Sequence, residues 1–181
     1  MDLFYETLKQ KGFEGEIDTT EESRQFYSHD ASLFELMPQV VVFPKANADL
    51  ERLVSAVNEC RDKIPGLSMT ARSAGTDMSG AAVGESIIID FTRHFNQIEE
   101  MTSTSSRTQP GVLYRIFEKA SLEKGALLPS FPASRELASV GGMVANNSGG
   151  EKSLEFGKTE NYVKKLKVVL SDGQTYVLQP L

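Results

Sequence analysis

A strand, a helix and a second strand follow one another between residues 38 and 72, and this order constrains the fold more than any other feature of the sequence. The run PQVVVFP (38–44) is continuously apolar and bounded by prolines, which is typical of a buried strand. Residues 47–66 carry apolar side chains at the spacing of an amphipathic helix, and LSMTAR (67–72) predicts the second strand. Because such a unit usually joins parallel strands, we expect a parallel pair within a mixed α and β fold.

The rest of the chain also mixes helices and strands. Thr19, followed three residues later by Glu22, is typical of a capping box at the start of a helix. The other predicted elements are helices at 2–10, 20–27 and 111–125, a buried strand at 86–90, an exposed hairpin or meander at 96–101 and 108–112, and a hairpin at 161–178 that turns at residues 171–174. The helix at 111–125 would bury Leu113, Ile116, Phe117 and Ala120.

The composition excludes several classes of function. The 181 residues include 19 basic and 25 acidic ones, and a net charge of −6 makes the chain a poor nucleic-acid binder. Cys60 is the one cysteine, so no internal disulfide is predicted, and a buried or half-buried structural thiol is expected there. His29 and His94 are expected to be surface or lobe-packing residues, and no metal site is predicted. No apolar run approaches the roughly 18–20 residues of a membrane span, and the start lacks a signal-peptide pattern, so we expect a cytoplasmic protein.

The segment ARSAGTDMSGAAVGESIIID (71–90) is rich in glycine and lies between two predicted strands. Gly75 and Gly80 have the interval of a nucleotide P-loop, but alanines follow where that motif needs Lys and Ser or Thr. A dinucleotide fingerprint is excluded as well, because only six residues separate Gly80 from Ile87 and no helix fits there. Either the segment is a simple turn, or its backbone N–H groups form an anion nest helped by the hydroxyls of Ser73, Thr76 and Ser79.

A second glycine-rich segment, SVGGMVANNSGG (139–150), makes a shared ligand more attractive than two separate turns. The predicted structure of residues 135–150 is a short helical turn that runs into a loop. Two glycine pairs bracket Asn146, Asn147 and Ser148, so the backbone can approach a flat ligand while polar side chains bind its heteroaromatic edge.

These motifs, in this order, resemble the FAD-binding domain of the vanillyl-alcohol oxidase / p-cresol methylhydroxylase (PCMH) superfamily. The likeness extends over about residues 39–178 and is greatest to the branch that holds the flavoprotein subunit of glycolate oxidase and FAD-linked D-lactate dehydrogenase. It implies an α+β, PCMH-type fold: a small strand–helix–strand lobe packed on a larger mixed or antiparallel sheet lobe with flanking helices. Residues 1–37 would form a helical arm and residues 38–181 the FAD-binding domain, with lobes at 38–90 and 91–181. Relatives continue into the rest of that domain and a substrate cap, so the chain is expected to be truncated before them.

The resemblance also implies how FAD is bound. Thr76 stands where relatives with covalent flavin often carry His, so FAD is expected to bind non-covalently. Ala74 replaces a common glycine, and Asn161 stands where many relatives have Asp. The segment expected to wrap the FAD diphosphate contributes Ser73, Ala74, Gly75, Thr76, Asp77 and Ser79; the segment lining the flavin and ribityl chain contributes Pro132, Ala133, Ser134, Ser139, Gly141, Gly142, Asn146, Ser148 and Gly149; and Val163 lies on the adenine side.

The implied activity is oxidation of a 2-hydroxy acid, such as lactate or glycolate, to a 2-oxo acid by hydride transfer to FAD. The partners would be FAD, the hydroxy acid and an electron acceptor that the sequence does not identify. Family members place their catalytic groups largely in later parts of the chain, so no catalytic residue is assigned and residues 1–181 alone are expected to be inactive. Two alternatives stay open: a non-catalytic flavin-binding subunit, and a reductase of the UDP-N-acetylenolpyruvoylglucosamine type.

Overall fold

The computed structural model describes residues 1–180 and divides into two compact units. The first unit comprises Met1–Ala71, Asp77–Asp90 and the segment from Lys164 onward. The second comprises Arg72–Thr76 and Phe91–Val163. Both units contain helices and strands, and antiparallel strand pairs occur in each, which confirms the α+β class. The predicted domain boundary between residues 37 and 38 stays a prediction.

The first unit is built around a mixed four-stranded sheet. Its elements are α1 (Asp2–Gln10), β1 (Glu16–Asp18), α2 (Glu21–Tyr27), β2 (Val40–Phe43), α3 (Asn47–Cys60), β3 (Met69–Arg72, whose last residue falls in the second unit) and β4 (Ile87–Asp90). The strand order is β1-β2-β4-β3; β1 runs antiparallel to β2, and β2 runs parallel to β4 with Val40 opposite Ile87. The predicted strand–helix–strand unit is present, but the expectation that its two strands pair directly is wrong. Strand β4 lies between them because every one of its residues is buried, whereas β3 is partly exposed and forms an edge.

Two helices of the first unit pack through small and apolar side chains. Helix α3 buries Leu53, Ala56, Val57 and Cys60 on one face, as expected of the predicted amphipathic helix. The thiol of Cys60 is fully buried and contacts the Thr7 hydroxyl of α1 at 3.5 Å, which confirms its structural role. Helix α2 begins one residue later than predicted: Thr20, not Thr19, is the N-cap, and its hydroxyl accepts from the Ser23 amide.

A hairpin completes the first unit. Strands β7 (Leu166–Val169) and β8 (Thr175–Leu178) pair in antiparallel register, with Val169 opposite Thr175. Gly173 has φ +78° in the turn, as the sequence predicts. The Asn58 amide of α3 donates to the carbonyl of Ser171 at 2.6 Å, so the turn is attached to that helix.

The second unit has short elements and its own core. They are β5 (Ile98–Met101), β6 (Ser106–Thr108), α4 (Tyr114–Leu122), α5 (Val140–Ala145), α6 (Ser153–Phe156) and a 3-10 turn at Thr159–Tyr162. The predicted hairpin is present, but its second strand lies at 106–108 and not at 108–112. The core consists of Val112, Tyr114, Phe117, Phe131, Ala138 and Met143.

Helix α4 buries a different face from the predicted one. Phe117 is buried as expected, but Ile116 is 53% exposed, and Tyr114 and Ser121 take the inward positions. The reason is that the Tyr114 hydroxyl donates to the carbonyl of Leu128 at 2.7 Å, which fixes the aromatic ring inside. Within residues 1–180, no helix is long and apolar enough to cross a membrane.

Candidate functional site

The first glycine-rich segment connects β3 to β4 without a helix, as predicted. Strand β3 ends at Arg72 and β4 begins at Ile87. Gly75 and Gly80 have φ angles of +67° and +85°, a left-handed conformation that glycine adopts without steric cost. The segment is therefore turned by its glycines, and the two commonest phosphate motifs are absent from it.

Four consecutive backbone amides of this segment have no hydrogen-bond partner in the described part of the chain. They belong to Ser73, Ala74, Gly75 and Thr76, all of which are half-buried. Amides of a half-buried loop that bind no protein acceptor remain available to bind water or a ligand. Successive N–H groups around a left-handed residue form a concave anion site. We call residues 73–76 the amide nest, and their contact with the FAD diphosphate stays a prediction.

Arg72 lies directly against this nest, and the sequence analysis missed it. The residue is only 7% exposed. A Cβ atom placed on Gly75 would lie 2.5 Å from Nη2 and 2.8 Å from Cζ of the Arg72 guanidinium. The only sequence signal was its position as the last residue of a strand before a glycine-rich loop.

Asp77 and Ser79 shape the loop that follows the nest. One carboxylate oxygen of Asp77, Oδ2, accepts from the Ser79 amide at 2.8 Å, from the Ser79 hydroxyl at 2.6 Å and from the Ala81 amide at 2.9 Å. The Ser79 hydroxyl thus donates to Asp77 within the loop, and its contact with an anion stays a prediction. These two residues belong to the first unit, whereas Ser73–Thr76 belong to the second.

The second glycine-rich segment begins with helix α5 and continues as a loop, where a short helical turn running into a loop was predicted. Ser139 is the N-cap of α5, and its hydroxyl accepts from the Gly142 amide at 3.1 Å. Gly141 lies in the first turn, where its amide donates to the carbonyl of Pro110 at 2.8 Å. A Cβ at Gly141 would lie 2.7 Å from that carbonyl oxygen. Packing against Pro110 thus explains why position 141 is a glycine. Contact between Gly141 and FAD stays a prediction.

Residues 146–150 are held in place by the 3-10 turn of the same unit. The carbonyl of Ser148 accepts from the Thr159 amide at 3.0 Å and from its hydroxyl at 2.7 Å. The Thr159 hydroxyl also lies 3.3 Å from that of Ser130, and both residues are buried. Asn147, at φ +44°, accepts from the Glu160 amide through its side chain at 2.9 Å. Neither Ser130 nor Thr159 was predicted from the sequence, since their partners are distant along the chain.

The remaining site predictions fall on short turns of the second unit. The carbonyl of Pro132 accepts from the Arg135 amide, and that of Ser134 accepts from Leu137 and Ala138. Val163 follows the 3-10 turn. All predicted cofactor residues except Asp77 and Ser79 therefore lie in one compact unit. The contacts of these predicted residues with FAD stay predictions.

The ionisable groups of the described residues give no metal-binding cluster. No group of three His, Cys, Asp or Glu residues between positions 1 and 180 is arranged to hold a metal ion. His29 lies 3.5 Å from Glu35, with both side chains more than half exposed. Burial is the main cause that raises the pKa of Tyr114, and this hydroxyl belongs to the core of the second unit.

Comparison with known proteins gives consistent matches over nearly the whole chain. Residues 38–179 match the family model described as an FAD binding domain. D-2-hydroxyglutarate dehydrogenase of Escherichia coli K12 is 31% identical over 180 residues, which cover 98% of this chain but only 18% of that protein. Glycolate oxidase subunit GlcD of Bacillus subtilis is 30% identical over 161 residues, covering 87% of this chain and 33% of that protein.

Solved structures match in fold at low sequence identity. Alkyldihydroxyacetonephosphate synthase superposes with a TM-score of 0.82 at 20% identity, over all of this chain and 35% of that one. Chitooligosaccharide oxidase gives a TM-score of 0.77 at 16% identity, over 98% of this chain and 37% of that one. These matches confirm the expected PCMH-type fold. The chain spans less than a fifth of the dehydrogenase from E. coli.

Proposed function

Because the chain belongs to the FAD binding domain family, we propose that it is the FAD-binding part of a flavin-dependent oxidoreductase. The observation that carries this proposal is the amide nest, whose four N–H groups, at Ser73–Thr76, have no partner among residues 1–180. The diphosphate is the part of FAD with the most acceptor oxygens. Thr76 offers no side chain for a flavin bond of the histidyl kind, so the cofactor is held non-covalently.

An amide nest suits this chain better than a lysine-based phosphate site. Its N–H dipoles are fixed by the backbone, so they bind an anion without the rotational entropy lost by a lysine side chain. A chain with a net charge of −6 then attracts anions at one local position. Gly75 provides the left-handed turn that the nest requires.

The proposed reaction is oxidation of a 2-hydroxy acid to a 2-oxo acid. When bound, the flavin supplies the hydride acceptor. Support comes from the relatives, which are named for D-2-hydroxyglutarate, glycolate and D-lactate, all of them 2-hydroxy acids. Within this chain, the nest binds the diphosphate and residues 139–149 orient the flavin side. The groups that bind substrate and move its proton, the electron acceptor and a cytoplasmic location all stay predictions.

Titration of the purified protein with FAD tests the proposal. We expect quenching of flavin fluorescence and a shift of its visible bands; their absence would contradict the cofactor assignment. The informative variant is Gly75→Ala, with Gly66→Ala as its matched control. Both glycines have positive φ angles, +67° and +75°, so each substitution carries left-handed strain of roughly 1–2 kcal/mol.

The two variants differ in location. A Cβ at Gly66 meets nothing within 4 Å, whereas one at Gly75 meets the Arg72 guanidinium at the nest. We expect Gly75→Ala to weaken FAD binding about tenfold or more, equivalent to about 1.4 kcal/mol, while Gly66→Ala binds like the wild type. Equal affinities for the two variants would show that residues 73–76 do not bind the cofactor. The alternative of a non-catalytic flavin-binding subunit predicts the same titration but no turnover of a 2-hydroxy acid by the complete protein.

A further inference from the structure

We infer that Arg72 is a positioning residue of the diphosphate site, which shapes the amide nest at Gly75 and places a permanent positive charge behind it. This inference rests on the proposed function, because it assumes that the nest binds a diphosphate. Arg72 is neither one of the FAD-binding residues predicted from the sequence nor one of the four amide donors of the nest.

The guanidinium of Arg72 lies against the backbone of Gly75. A side chain at position 75 would meet three guanidinium atoms, Nη2 at 2.5 Å, Cζ at 2.8 Å and Nε at 3.1 Å. The guanidinium thus occupies the space that a Cβ would fill and supports the loop at its left-handed residue. The nest itself begins at the next residue, Ser73, so the cation and the four N–H donors lie within five consecutive positions.

The backbone of Arg72 is fixed where β3 ends. Its carbonyl accepts from the amide of Phe91 at 3.0 Å, which holds the start of the loop. The side chain is only 7% exposed, so the surrounding protein holds the guanidinium in one place. A guanidinium stays protonated at all relevant pH values and is flat, whereas lysine is a compact charge on a flexible chain. Lysine would therefore keep the charge but lose the support of Gly75.

The test measures binding of FAD and of ADP, which share the diphosphate, to three variants at low and high salt. Arg72→Met removes the charge and the flat group, and Arg72→Lys removes only the flat group. Arg52→Met is the control, because it also removes one positive charge but lies in the first unit, 3.3 Å from Asp49. Thermal melting of each variant reports its folding.

For Arg72→Met we expect about tenfold weaker binding of both FAD and ADP at low salt, and a smaller loss of affinity on adding salt than in the wild type. Arg72→Lys should keep the wild-type salt dependence and bind with intermediate affinity. Arg52→Met should match the wild type in both respects. A purely structural role would lower the melting temperature and the affinity without changing the salt dependence, and that result would overturn the inference.

The outcomes separate this inference from the proposed function. If the wild type binds neither FAD nor ADP, the proposed function fails and Arg72 has no such role. If the wild type binds both and Arg72→Met binds them within a factor of about two, only the role of Arg72 is refuted. Should Arg72→Met fail to fold, Arg72→Lys decides the question. This variant keeps the positive charge, so its affinity for FAD should depend on salt as in the wild type. An affinity that no longer depends on salt would contradict an electrostatic role of Arg72.

Discussion

Replacing Thr159 by Val removes one hydroxyl from the buried contact that holds Ser148. The substitution keeps the branched shape of the side chain but deletes the donor to the Ser148 carbonyl at 2.7 Å. That carbonyl keeps the Thr159 amide as a partner, whereas the hydroxyl of Ser130, a fully buried residue, is left without one. An orphaned buried polar group costs about 1–3 kcal/mol, so we expect a loss of about 2 kcal/mol in the free energy of unfolding.

Thermal melting followed by circular dichroism measures this loss. For a chain of this size, about 2 kcal/mol corresponds to a fall of roughly 4–8 °C in the melting temperature. Thr159→Ser is the control, because it keeps the hydroxyl and removes only a methyl group. If Ser148 lines the flavin as predicted, Thr159→Val also weakens FAD binding more than Thr159→Ser does.

A double-mutant cycle with Ser130→Ala tests the physical reason. In the Ser130→Ala background no buried hydroxyl is orphaned, so Thr159→Val should cost at least about 0.5 kcal/mol less than in the wild type. The reasoning would be refuted if the two substitutions were additive, or if Thr159→Val were as stable as Thr159→Ser.

Two further predictions concern single groups in the two cores. Burial raises the pKa of Tyr114 above its ordinary value of 10.0, so the folded state holds this proton more tightly than the unfolded state. The resulting stability is complete below pH 10.0 and falls as the pH rises further. The free energy of unfolding, measured across this range, should therefore fall more steeply with pH for the wild type than for Tyr114→Phe. Equal slopes for the two proteins would contradict this prediction. Cys60 is fully buried, so its thiol should resist a disulfide reagent such as DTNB in the native protein and react at once in urea; rapid reaction of the folded protein would show that α1 does not cover it.

Local patterns in the sequence were sufficient for most elements of the fold. The buried strand β2 is bounded by prolines, α3 has a clear amphipathic face, and the turn at Gly173 has a strong hairpin signal. The order of the strands could not be predicted in the same way, since it depends on β4 being buried on both faces and so displacing β3 to the edge. A run such as SIIID indicates burial but does not identify the neighbouring strands.

The candidate site shows the same contrast between local features, which the sequence predicts, and long-range contacts, which it does not. Gly75 and its turn followed from glycine density and from the short interval before Ile87. Only a short helical turn running into a loop was predicted within residues 135–150, because glycine disfavours helices. The Ser139 cap and the contact of Gly141 with Pro110 override that preference at Val140–Ala145. The contacts of Thr159 with Ser130 and Ser148 depend on how the chain folds back on itself, so no local pattern contained them.

The strand order also has a consequence for how the protein folds. The central pair joins Val40 to Ile87, so all of α3, β3 and the glycine-rich loop lie in the chain between the two partners. That stretch must be closed before the first inner hydrogen bonds of the sheet can form, and parallel pairing at such separation is intrinsically slow. During synthesis β2 therefore leaves the ribosome with only β1 available as a neighbour, and its other edge stays unpaired until β4 emerges.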